Sequence, residues 1–319
     1  MRVIFWVKGA RGVCCLHAVL RSGQKVTALC VQPGAGTQWH ASAMALAEEY
    51  ALPVLAAPDP NDPSLLEQVR AMAPELFILA GYGPILRQEA ISIPTRFCIN
   101  LHGGRLPEYR GSSPMNWALI NAEATFGISI IKVSPGVDTG DVLAERQFPI
   151  GPNDTIQDLH RLANDAFPEM LLQVLEGVER DTVAPLPQDN AKAAYFPLRF
   201  AEDGIIFFDT MTAEQIHNMI RSLTLPYPCA YTYFGTKRVR LIASHLRQDD
   251  YFGVAGRIYM KRQGSLLVCA RDKCLWIDDA RFDDDTQAHD AINRYDRLAT
   301  LSGTAEAFLL WKAGEEAKD

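Results

Sequence analysis

The chain has 319 residues, 48% hydrophobic and 22% charged, and its 31 Lys and Arg against 38 Asp and Glu give a formal charge of −7. That length allows two domains with cores of their own, and the composition is that of an ordinary globular protein. No apolar run is long enough to span a bilayer and no signal-peptide start is present, so a cytoplasmic protein without a membrane partner is expected. The acidic balance argues against a nucleic-acid partner, although residues 237–273 hold nine Lys and Arg against three Asp. Seven scattered cysteines (Cys14, Cys15, Cys30, Cys98, Cys229, Cys269 and Cys274) form no Cys-x-x-Cys pair, which predicts buried reduced thiols and no metal.

In chain order, apolar runs at 3–7, 26–31, 53–55, 76–80, 97–101 and 127–133 predict strands. Amphipathic stretches at 13–22, 41–50, 63–73 and 116–121 predict the helices between them. Such alternation implies a mostly parallel α/β sheet covered on both faces. Gly9-Ala10-Arg11-Gly12 lacks the order of a dinucleotide fingerprint, and no acid closes the second run, so a tight turn is expected there. Thr155 to Asp158 predicts a capping box that opens a long helix ending near 177. The Pro-, Asp- and Asn-rich stretch 185–192 reads as a linker, dividing the chain into domains 1–190 and 191–319. Short runs at 205–208, 230–234, 238–243, 256–260 and 265–270 then predict a small antiparallel barrel or sheet. The charged tail after 308 is expected to fray.

The most informative stretch runs from Ile99 to Gly111. An apolar strand ends in a glycine turn and puts Asn100 and His102 on one face at its carboxyl end, where open α/β sheets bind ligands. A second strand runs into the turn Ser134–Gly140 and presents Asp138. Amide, imidazole and carboxylate are the parts that acyl transfer needs: an oxyanion donor, a general base and a group that orients the base. Asp141 reads as structural, and His217 and His245 as surface or packing residues.

Asn100-x-His102, then Leu106-Pro107-x-x-x-Gly111, then Asp138-x-Gly140 resembles the signature of the folate-dependent formyltransferases, over roughly residues 1–245. Pro226-Tyr227-Pro228, after the helical stretch 216–221, is similar to the family's second domain. The resemblance implies a Rossmann-like N-terminal formyltransferase domain followed by a smaller, β-rich, open-barrel (OB-like) C-terminal domain. It implies N10-formyltetrahydrofolate as donor and a primary amine as acceptor. Catalysis would then fall to Asn100, His102 and Asp138. The folate pocket would be lined by Gly81, Tyr82, Gly83, Pro84, Ile85, Leu86, Val137 and Asp138, although residues 81–86 also read as a loop that simply needs glycine.

The acceptor divides the family. Methionyl-tRNA formyltransferases typically carry a basic insert after the second strand, whereas residues 33–40 here contain no Lys or Arg. Glu108-Tyr109-Arg110-Gly111, Pro114-Met115-Asn116-Trp117 and Tyr195-Phe196-Pro197-Leu198-Arg199 look like the nucleotide-sugar N-formyltransferase branch. A nucleotide-linked amino sugar is therefore the expected acceptor, bound by Arg105, Tyr109, Arg110, Asn116, Trp117 and Arg199, with a homodimer as the expected assembly. Gly104 and Arg105 depart from the Ser and Leu that relatives usually carry after His-Gly, and Phe207-Phe208-Asp209 from their usual Asp-Trp. A methionyl-tRNA formyltransferase, a formyltetrahydrofolate hydrolase-type domain and a non-catalytic folate-binding module remain the alternatives.

Overall fold

The computed structural model describes residues 1–32 and 37–306. Residues 33–36 of the uncharged 33–40 stretch, and the charged tail after 308, lie outside the described residues. The chain forms two compact units. The first comprises Met1–Pro114, Thr125–Pro149 and His160–Pro197; the second comprises Met115–Ala124, Ile150–Leu159 and the described residues from Leu198 on.

The first unit begins with β1 (Arg2–Val7), α1 (Gly9–Arg21), β2 (Lys25–Val31), α2 (Gln38–Glu49), β3 (Val54–Ala56), α3 (Pro63–Ala71), β4 (Leu76–Ala80), α4 (Gln88–Ile91) and β5 (Phe97–His102). After β5 come β6 (Arg110–Gly111), α5 (Pro114–Ile120), β7 (Thr125–Lys132), β8 (Val142–Pro149), α6 (Ile156–Glu179) and β9 (Tyr195–Phe196). Seven strands make one sheet in the order β3-β2-β1-β4-β5-β7-β8. Its first five strands are parallel, and β7 and β8 run antiparallel. Strands β1 and β4 are buried on both faces, which is why they read as unbroken apolar runs. Strand β8 escapes sequence reading because it is an edge strand whose residues alternate in exposure.

Helix starts are chemically marked. The Asp62 carboxylate accepts the N–H groups of Ser64 and Leu65 ahead of Pro63. At α6 the expected box is half made. Asp158 accepts the Thr155 N–H at 3.0 Å, but the Thr155 hydroxyl donates to the same carboxylate instead of capping the helix. Among the described residues no helix is long and apolar enough to cross a membrane.

In the second unit β10 (Ala230–Phe234), β11 (Lys237–Leu246), β12 (Ile258–Arg262), β13 (Ser265–Cys269) and β14 (Cys274–Phe282) form an antiparallel sheet in the order β10-β11-β14-β13-β12. Helix α7 (Ala213–Leu223), opened by a full Thr212/Gln215 capping box, and α8 (Ala288–Ala291) contribute to its apolar core. Both sheet edges are covered by the segment 295–299. The Ile258 N–H on β12 donates to the Asp296 carbonyl, and the Ala299 N–H donates to Tyr233 on β10. One expectation is corrected here. The run 205–208 is no strand; it makes a single bridge through Ile205 and buries Phe208 completely in the core. Cys269 and Cys274 stand opposite each other on β13 and β14, and Cys14, Cys15, Cys30, Cys98 and Cys229 are free thiols.

Candidate active site

Strand β5 is central in the sheet and ends at His102, so the imidazole emerges at the carboxyl edge with only 5% of its surface exposed. Asn100, two residues earlier, is half-buried. The chain then turns through Gly103 and Gly104. A Cβ at Gly104 would lie 2.5 Å from the Tyr109 carbonyl oxygen and 2.6 Å from His102 Nε2. Glycine there lets the chain fold back so that His102 Nε2–H donates to that carbonyl at 2.6 Å. A carbonyl only accepts, so this bond fixes the neutral tautomer: the proton sits on Nε2 and the lone pair on Nδ1. Nδ1 faces Asp138 Oδ2 at 3.5 Å. The Tyr109 carbonyl, and not Asp138, thus selects the tautomer. Burial holds the imidazole below its ordinary pKa, against the upward pull of Asp138 and the Tyr109 carbonyl and together with Arg11, which lowers it further.

Asp138 has a left-handed backbone, φ 51°, uncommon for a residue with a side chain. Its carboxylate accepts the Gly111 N–H at 2.9 Å, and its carbonyl accepts Gln188 Nε2–H at 2.8 Å. The same amide donates to the Gly140 carbonyl at 2.6 Å. Arg11, near the start of α1, donates to the Leu101 carbonyl just before His102.

The residues proposed for folate divide. Gly81 adopts φ 70° against the Lys8 carbonyl, Ile85 is 74% exposed and Val137 50% exposed. Tyr82 and Leu86 instead turn into the core. The Tyr82 hydroxyl donates to the Ala57 carbonyl, and its ring meets Trp6 edge-on. Their backbone, not their side chains, remains available to a ligand.

Most of the residues expected to bind the acceptor are already occupied. Arg110 is 2% exposed; it donates to Gln188 Oε1 through Nε and Nη2, to Asn190 through Nη2 and to the Tyr195 hydroxyl through Nη1. Tyr109 is buried and stacks on Phe196 at 4.7 Å. In the second unit Asn116 is buried and donates to the Ser222 carbonyl. There too Arg199 lies over the Trp117 ring at 4.8 Å and donates to the Asp203 carbonyl. Arg110, Tyr109, Asn116 and the Arg199–Trp117 pair thus each hold contacts within their own unit. Arg105 differs. Its stem packs over Gly127, its side chain is 26% exposed, and its Nε lies 3.8 Å from Glu108 Oε2 without a hydrogen-bond partner.

Sequence reasoning missed Gln188 and Arg11. Gln188 sits in the stretch taken for a linker, where the bridge of Leu186 to Val142 and the bonds to Arg110 make it part of the first unit. A single Gln amid Pro, Asp and Asn gives no periodic signal. Arg11 sits in α1, which begins at Gly9 where the sequence predicts a tight turn.

The formyl transferase family profile matches residues 12–175, and the profile of the formyl transferase C-terminal domain matches residues 200–295. The methionyl-tRNA formyltransferase of Citrifermentans bemidjiense is 32% identical over 277 residues, 85% of this chain and 83% of that protein. The protein of the same name from Acetivibrio thermocellus is 31% identical over 293 residues, 89% and 92% of the two chains. Among solved structures, an N-formyltransferase from Helicobacter canadensis, in complex with folinic acid and dTDP-3-aminofucose, superposes with a TM-score of 0.66 at 17% identity. It covers 87% of this chain and 98% of that one. HypX from Aquifex aeolicus superposes at 0.63 and 20% identity; this chain spans 44% of its length and is itself 88% covered. At such identities the solved structures speak to fold alone. With both family profiles matched in order and full-length relatives above 30% identity, this chain belongs to the formyltransferase family.

Proposed function

We propose that this formyltransferase acts on the primary amine of a nucleotide-linked amino sugar, with Asn100, His102 and Asp138 as its working groups. The donor is N10-formyltetrahydrofolate, which supplies the formyl carbon as an acyl group carried on nitrogen. Residues 81–86 and Val137 would hold it, with Ile85 and Val137 offering exposed apolar surface. A neutral amine sheds a proton as its nitrogen bonds to carbon. His102 Nδ1, the lone-pair nitrogen, takes that proton, and Asp138 at 3.5 Å together with the Tyr109 carbonyl stabilises the resulting imidazolium, which returns the proton to N10 as the formyl carbon–N10 bond breaks and tetrahydrofolate leaves. The side-chain N–H of Asn100 serves the negative charge that builds on oxygen; losing such a donor costs on the order of 100- to 1000-fold in rate.

The observation that carries the choice of acceptor is the connection from β2 to α2. Only residues 32–37 separate the two elements, and none is Lys or Arg. A polyanion the size of tRNA calls for cations that this connection lacks. Arg105, three residues from His102 and with a partly exposed side chain, is suited to a sugar diphosphate. The second reading, methionyl-tRNA as acceptor, is favoured by the relatives' names and by the basic stretch 237–273. Formyl transfer measured side by side on UDP-, dTDP- and GDP-linked amino sugars and on charged initiator tRNA at physiological salt tests the choice. Turnover on an amino sugar well above that on tRNA is expected. Rates on tRNA that rival the best sugar would overturn it.

A further inference from the structure

Three consecutive residues, Tyr109, Arg110 and Gly111, hold both members of the catalytic pair. The Tyr109 carbonyl takes His102 Nε2–H, and the Gly111 N–H meets the same Asp138 oxygen that faces His102 Nδ1. The guanidinium between them grips Gln188 Oε1 at 3.0 and 2.8 Å. Across the other end of that amide, Nε2 bridges the carbonyls of Asp138 and Gly140. Every donor and acceptor of the Gln188 side chain is thus used. Its orientation is also unambiguous, since a flipped amide would set NH2 against the guanidinium and oxygen against two carbonyls. The bonds close a ring: Asp138 carboxylate, Gly111, Arg110, Gln188 and back to the Asp138 backbone.

We propose that Gln188 is a positioning residue for formyl transfer, holding Asp138 in its left-handed conformation so that the carboxylate stays against His102. A left-handed backbone on a residue with a side chain is sustained only where its surroundings over-determine it. Here two carbonyls, at positions 138 and 140, are fixed by one amide, and that amide is fixed in turn by Arg110. Gln188 makes no contact with the reacting atoms; it acts through Asp138. The proposal rests on the reading of Asp138 and His102 as the catalytic pair.

Gln188→Glu separates positioning from folding. A carboxylate keeps both Arg110 bonds but offers no N–H to the carbonyls of Asp138 and Gly140. The expected result is a fall in kcat of tenfold or more, with the KM for formyl donor within about twofold of the parent and a melting temperature within a few degrees. In an Asp138→Asn background the same substitution should have little further effect, because residues that act as a unit are non-additive. Parent-like kcat in Gln188→Glu overturns the proposal, as does an equal proportional loss in both backgrounds. Should Gln188→Glu melt well below the parent, Gln188→Met, which gives up the two Arg110 bonds as well but adds no charge, is read by the same two criteria. Near-parent turnover in Asp138→Asn alone refutes the catalytic pair instead, and so keeps the two failures apart.

Discussion

Gly140 is the point at which the grip on Asp138 has no slack. A Cβ added there would lie 1.7 Å from the Lys132 carbonyl oxygen and 2.8 Å from its carbon. Non-bonded atoms in contact sit roughly 3.5 Å apart, so one segment must give by about 1.5 to 2 Å. Lys132 ends β7, which is paired on both sides by β5 and β8, so the turn moves and the strand does not. The turn is tied by the Lys132 N–H to the Asp141 carbonyl and by Gln188 to the carbonyls of Asp138 and Gly140. Losing two or three such bonds at about 1 kcal/mol each should make Gly140→Ala less stable by about 2 to 4 kcal/mol. Misplacing a reacting group by 1 Å costs on the order of 100-fold in rate, so kcat should fall at least that far in the folded variant. Thermal unfolding and steady-state formyl transfer on the same preparation measure both effects. A Gly140→Ala variant with the parent's melting temperature and kcat within threefold would refute the claim that this close approach positions Asp138.

Arg110→Ala should destabilise the first unit by roughly 2 to 4 kcal/mol without changing the acceptor KM of the folded enzyme. Arg110→Lys should not restore stability, because an ammonium cannot reproduce the forked bonds to Gln188, Asn190 and Tyr195. Arg105→Ala should raise the acceptor KM about tenfold or more, the cost of one charge-assisted phosphate contact, with the folate KM unchanged; equal effects on both would place Arg105 elsewhere. The acid limb of kcat/KM should lie below the ordinary imidazole value. His102 must be neutral to accept a proton, and its pKa is depressed chiefly by burial, so activity persists as pH falls past that value and is lost only on passing the lowered one. Because Asp138 pulls that pKa upward, the limb of the residual activity in Asp138→Asn should move to still lower pH, and a shift upward would contradict the arrangement.

The parallel part of the sheet was legible because strands buried on both faces carry continuous apolar runs, as at 76–80. Strand β8 was not, since an edge strand with one wet face breaks its run, and β14 mixes Asp278, Asp279 and Arg281 into an otherwise apolar stretch. The approach of His102 to Asp138 was legible from glycine turns closing strands. The surrounding polar residues were less legible for one physical reason: a motif displays residue types but not their partners. Arg110 and Asn116 look like ligand contacts until their buried bonds to Gln188 and Ser222 are seen. Conversely Gln188, in a stretch whose composition predicts a linker, is tied down only by tertiary contacts that no local pattern encodes. The tautomer of His102 depends on a carbonyl seven residues away, reached only because Gly104 has no side chain.

The central claim is that His102, oriented by the Tyr109 carbonyl and backed by Asp138, carries the proton in formyl transfer. Single-turnover formylation of the best acceptor by His102→Asn, with folate affinity measured in parallel, tests it most directly. The account predicts folate binding within about twofold of the parent and a rate reduced on the order of 100- to 10,000-fold. A rate near the parent's with unchanged folate binding would contradict it.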